Sequence, residues 1–175
     1  MKNDAGFSLV EMLLVVTVIG ILASVAAPGI GQARALAVET STIGSLRALS
    51  AAQSLYATAC GIGYFAPTIP TLRLPGNGQA AFIGPEFTAN SVNREGYNII
   101  FSAGPVAPNA PATCNGVAKG KSLHTYFIGA DPLTTGALMG TRHFAVNQNG
   151  VIFQSTKRIS AFYTGVPPSP ATGLK

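Results

Sequence analysis

Phe7–Ala27 reads FSLVEMLLVVTVIGILASVAA, an apolar run of 21 residues that holds one charge, Glu11. A helix of that length rises about 31 Å, enough to cross a hydrocarbon core of roughly 30 Å. An ionised carboxylate is costly inside lipid, about 2.5–3.5 kcal/mol at the middle of the bilayer. Leucine would anchor the chain equally well without that cost. Glu11 therefore calls for a cationic partner.

The flanks narrow the choice. Ahead of the run stands a six-residue polar leader, MKNDAG, with Lys2 as its cation. A secretory signal has a shorter apolar stretch of 7–15 residues, followed by a small-x-small cleavage site. ASVAAP at 23–28 offers a weak site of that kind, and removal of an ordinary signal peptide is the competing reading. Here, however, the run is longer and the small residue, Gly6, comes before it. A cut between Gly6 and Phe7 keeps the apolar segment at the new N-terminus and frees an α-amine close to Glu11.

GFSLVEMLLVVTVIGILA, residues 6–23, resembles the N-terminal signature of type IV pilins and pseudopilins. The shared features are a short charged leader ending in Gly, then Phe, then Glu as the fifth residue of the processed chain. The likeness covers about residues 1–30. It implies that a prepilin peptidase cleaves after Gly6 and methylates the amine of Phe7, and that the helix becomes the core of a helical filament. In that setting the Phe7 amine of one copy pairs with Glu11 of a neighbour. Attraction in a dry bundle is offset by lost hydration, so the pair acts more as a register device than as a large stabiliser.

Composition agrees with an exported subunit. The chain has 175 residues, enough for a stalk and one globular head. Only 10% of residues are charged, which suits a surface that packs against copies of itself. Net charge is +5, so DNA is a candidate partner, though thinly supported. Arg34, Arg47, Arg73, Arg94 and Arg142 are scattered, and the pairs Lys119/Lys121 and Lys157/Arg158 lack interleaved aromatics.

The expected organisation is a leader (1–6), a transmembrane or filament-core helix (7–27), a helix continuation (28–60), a connecting loop (61–96), a sheet head (97–165) and a mobile tail (166–175). Within the continuation Leu36, Ile43, Leu46, Leu49, Gln53, Tyr56 and Cys60 recur at helical spacing, while Arg34, Glu39, Ser45 and Arg47 fall largely off that stripe. Gly20 and Pro28 weaken the helix and predict a kink or a locally melted stretch. Gly61-Ile62-Gly63 suits a helix end. Four prolines in 65–87 argue against regular structure there. Strand-like runs follow at Tyr97–Ser102, Leu123–Ala130, Arg142–Asn147 and Val151–Ser155, the last two joined through Asn149-Gly150. ISAFYTG at 159–165 reads as a short edge strand. The predicted fold is α+β: a long N-terminal helix, half membrane-spanning and half amphipathic, packed on a small antiparallel sheet of three to four strands.

Cys60 and Cys114 both lie beyond the apolar run, on the side where disulfides persist. A bridge between them closes a long loop and is favoured over free thiols, since no CxxC or HxxxH spacing supports a metal. His124 and His143 sit in two predicted strands. Asp131, the nearest acid, reads as part of an Asp131-Pro132 turn, and the strand histidines read as surface or half-buried positions. No nucleophile motif or phosphate loop stands out, so neither catalysis nor a cofactor or metal is expected.

The leading function is a structural subunit of a type IV pilus-like extracellular filament serving adhesion, motility or DNA uptake. The alternative is a pseudopilin of a type II secretion system. A monomeric membrane-anchored binding domain is a third reading. The resemblance implies as partners the chain itself as a helical homopolymer, prepilin peptidase, the inner-membrane assembly machinery and, before assembly, the lipid bilayer. It places the precursor in a bacterial inner membrane with its head in the periplasm, and the assembled filament on the cell surface.

Overall fold

The computed structural model describes residues 8–76, 78, 80–134 and 140–174, with the side chains of 26–29 outside that description. Its first element is α1 (Leu9–Ala59), a helix of 51 residues. The stretches Leu9–Val25 and Ile30–Ala59 meet at 44°. Leu9–Val25 alone rises about 26 Å. Among the described residues no single helix is long and apolar enough to cross a membrane, but this bent pair qualifies together by length and composition.

The head is a six-stranded sheet, not three or four strands. Its strands are β1 (Ser91–Arg94), β2 (Tyr97–Ala103), β3 (Tyr126–Pro132), β4 (His143–Asn147), β5 (Ile152–Ser155) and β6 (Thr172–Gly173). Sheet order follows chain order and every pair is antiparallel. The two extra strands are the edges. β1 lies in the 61–96 segment read as connecting loop, and β6 in the segment read as tail. Neither carries an alternating apolar pattern, because an edge strand leaves much of its surface in solvent. β1 is held by a two-residue turn with positive φ at Glu95 (47°) and Gly96 (89°), the geometry that matches strand twist. The proline-rich part of that segment, 65–87, forms a short helix, α2 (Ile69–Leu72), capped by Thr68. Asp131-Pro132 is the end of β3 rather than a turn, because it pairs with Tyr97 and Asn98 of β2.

α1 covers one face of the sheet. Cross-strand rows build that face: Ile99, Ala130, Phe144 and Gln154 in one register, Phe101, Ile128, Val146 and Ile152 in the next. Leu46, Leu49, Gln53, Tyr56 and Cys60 of the helix stripe pack against it, all buried. Gln53 replaces a strand neighbour: its Oε1 accepts from the Ala66 amide at 2.9 Å and its Nε2 donates to the Ala66 carbonyl at 3.3 Å. Two helix positions depart from the stripe. Leu36 is 59% exposed, because at 100° per residue it falls on the side of α1 that Arg47 and Ser54 also expose, away from Leu49 and Tyr56. Glu39 is buried at 4% exposure, because Thr141 and Arg142 supply its hydrogen-bond donors.

The opposite face carries a smaller cluster of Phe127, Ala145, Phe153, Ile159 and Phe162. The 159–165 segment supplies its lid and forms no edge strand; Phe162 meets Phe127 and Phe153 edge-on, each at 5.5 Å. Cys60 at the end of α1 and Cys114 in the loop before β3 are joined by a disulfide. Beside it, a Cβ on Gly76 would collide with the Cys114 sulfur, so the bridge and the proline-rich loop press together.

Candidate functional site

The stem begins at Ser8, whose extended backbone caps α1 and whose carbonyl accepts from the Glu11 amide at 3.1 Å. Glu11 thus occupies the first turn, where the helix dipole favours a negative charge. It is exposed, and among the described residues no cation lies within ion-pair distance of it. Around it the stem is apolar on every side. Twelve large apolar residues between Leu9 and Val25 are each between 43% and 82% exposed. A helix that is apolar all round is made to be enclosed, by lipid or by other helices. Gly20 has open space around it, so nothing in its own chain requires a glycine there. Gly6 and Phe7 lie outside the described residues, as does the Pro28 side chain.

The first 27 residues match the prokaryotic N-terminal methylation motif. This is the prepilin signature of type IV pilins and pseudopilins. The motif stops short of the head. No curated protein and no solved structure matches the chain.

Where the stem meets the head, a half-buried ion pair fixes the junction. The Glu39 Oε1 accepts from the Thr141 amide at 3.0 Å and the Arg142 amide at 3.3 Å, and Oε2 accepts from Arg142 Nε at 2.8 Å and from its terminal nitrogen. Arg142 also donates to Gln154 Oε1 at 2.6 Å and lies over the Phe144 ring. Burial would raise the Glu39 pKa, but the Arg142 hydrogen bond and charge and the two amides outweigh it and hold the carboxyl below its ordinary value. Tyr97 donates to the Arg142 carbonyl at 2.8 Å, and its hydroxyl is pushed up to about 12, mainly by burial and next by the Glu39 charge. Gly140, at φ 82°, packs so closely that a Cβ would meet the Tyr97 hydroxyl at 2.6 Å and Glu39 Cγ at 2.8 Å.

His124 and His143 are not brought together. His124 stands edge-on to Tyr64 at 5.5 Å, while His143 bonds Asp131 at 2.7 Å on the outer face of the sheet. Asp131 also pairs with Arg158 at 2.8 Å, tying the 156–162 segment down. Among the described residues, no three His, Cys, Asp or Glu side chains converge as metal ligands would. Sequence reading missed both ion-pair clusters. Glu39 and Arg142 are 103 positions apart, and no local periodicity links them. The one available signal was an acid set between apolar positions Val38 and Ile43 of a core-facing helix.

Proposed function

We propose that this chain is the structural subunit of a type IV pilus-like extracellular filament. Cleavage after Gly6 exposes the Phe7 amine, which is then methylated. The stem waits in the inner membrane with its head in the periplasm, then leaves lipid for a bundle of identical stems. There Glu11 meets the Phe7 amine of a neighbour, which sets the register. Gly20 and Pro28 loosen the stem, letting it bend as it passes from bilayer to bundle. Adhesion, motility or DNA uptake would then be properties of the outward-facing heads.

One observation carries this reading: a stem that is apolar on all sides bears a single acid in its first turn, on a chain that opens with the methylation motif. An anchor alone accounts for the apolar surface but not for the acid. The test is N-terminal mass spectrometry and electron cryomicroscopy of material sheared from cells. Long fibres of chains that begin at N-methylated Phe7 are expected. Glu11→Val should leave membrane insertion unchanged and reduce surface fibres to background. Normal fibres from that variant would sink the reading. Wild-type cells without external fibres, but with an assembly confined to the periplasm, would make the chain a pseudopilin.

A further inference from the structure

The outer face of the sheet, opposite α1, has a gap in its middle row. That row runs Ile100, Gly129, Ala145 and Phe153 across β2 to β5. Gly129 sits inside β3 with a strand on either side, where a glycine weakens the strand and marks a close approach by another group. The lid residues Ile159 and Phe162 pack with Ala145 and Phe153. Over Ile100 and Gly129 a cleft of about 260 Å³ remains, bounded on the solvent side by residues 158–161. Ser102 and Phe127 flank it in the next row toward one end of the strands, and Asp131 in the next row toward the other.

One ion pair sets the polar end of the cleft. Asp131 has both oxygens engaged, Oδ1 with His143 Nδ1 at 2.7 Å and Oδ2 with Arg158 Nε at 2.8 Å. The contact with Arg158 uses only the inner nitrogen of its guanidinium. The two terminal nitrogens have no partner among the described residues, and the side chain is 70% exposed. An arginine held at Nε with its outer end open is a docking point for a planar anion, which can take two parallel hydrogen bonds from it.

We propose that this cleft binds one carboxylate-bearing sugar ring, a hexuronate. Its carboxylate meets the terminal nitrogens of Arg158, its hydroxyls bond the hydroxyls of Ser102 and Ser160, and its carbons lie against Ile100 and Phe127. The open donors belong to a cation, so the ligand carries an acid. Asp131 is fully committed, so the ammonium of an amino acid would find no free carboxylate. The other polar side chains lining the cleft are hydroxyls, which donate and accept alike and so match the hydroxyls of a sugar. The cleft is smaller than the roughly 300–1,000 Å³ that drug-sized ligands fill, which limits the ligand to one ring. The site belongs to the head and faces away from α1, so it stands apart from the filament reading.

The test is calorimetric titration of the full chain in detergent with methyl glucuronide. A Kd of about 1 mM is expected for a ring of this size. Methyl glucoside, which lacks the acid, and acetate, which lacks the ring, should each bind about tenfold or more weakly. Arg158→Gln should weaken methyl glucuronide by about the same factor, and Arg158→Lys, which keeps the charge but not the fork, should also bind more weakly than wild type. Changes at Arg158 also touch the lid, so Ile100→Phe is the second probe. It fills the cleft from its floor, leaves the ion pair in place, and should abolish binding at an unchanged thermal midpoint. Equal affinity for methyl glucoside or acetate would overturn the assignment of a sugar acid. Absence of binding by wild type, or full affinity in Ile100→Phe or in either Arg158 variant, would overturn the site. Cells without fibres would remove the filament reading and leave this cleft, and a failed titration would do the opposite.

Discussion

The Glu39 carboxylate is almost out of water, and four donors from Thr141 and Arg142 replace its hydration. Removing one member of such a pair leaves the other without its partner. Glu39→Gln keeps the shape but turns a nitrogen toward Arg142, and should destabilise the head by about 2–4 kcal/mol. Arg142 is partly exposed and can turn to solvent, which keeps the loss toward the lower figure. The folded pKa of Glu39 lies below the ordinary 4.5, so its stabilisation is complete above that value and is lost as pH falls through the folded pKa. Thermal melts should therefore show a gap between wild type and Glu39→Gln at neutral pH that narrows under acid. A gap that stays constant would remove the ion pair from the account. Glu11 contrasts with Glu39. The role proposed for it rests on the sequence alone, on its spacing from Gly6 and Phe7.

The helix stripe, the strands β2 to β5 and the Asn149-Gly150 connection were legible because each is a local pattern: a period of three to four residues, a period of two, or a turn dipeptide. The edges were not. β1 and β6 are strands only because β2 and β5 offer them backbone partners. The 159–165 segment failed as a strand for the converse reason: Ile159 and Phe162 are needed as a lid on Phe127 and Phe153, and a lid crosses a sheet face instead of extending its edge. The Cys60–Cys114 bridge, 54 positions apart, ties the end of α1 to the loop before β3. Its reduction should cost about 4 kcal/mol by freeing that long loop in the unfolded chain. Chemical denaturation with and without reductant would measure this, and coincident midpoints would assign the bridge no stabilising role.

The molecule divides its apolar residues between two tasks. Those from Val38 onward fill one core beneath α1 and a smaller one on the outer face, while those from Leu9 to Val25 fill neither. A chain truncated to begin at Arg34 should therefore fold as a monodisperse, water-soluble head, and the full chain should need detergent or polymerisation. Light scattering on the truncated protein checks this, and an aggregated head would show that the stem contributes to its core. The apolar stem and the signature that points to its processing were written in the sequence alone, since apolar length, a lone acid and the Gly-Phe junction are properties of consecutive residues. The seating of the head on the stem was decided only in three dimensions. Glu39 with Arg142, and Asp131 with His143 and Arg158, depend on which distant segments the sheet brings beside α1 or lays across its outer face, and a one-dimensional period carries no record of that.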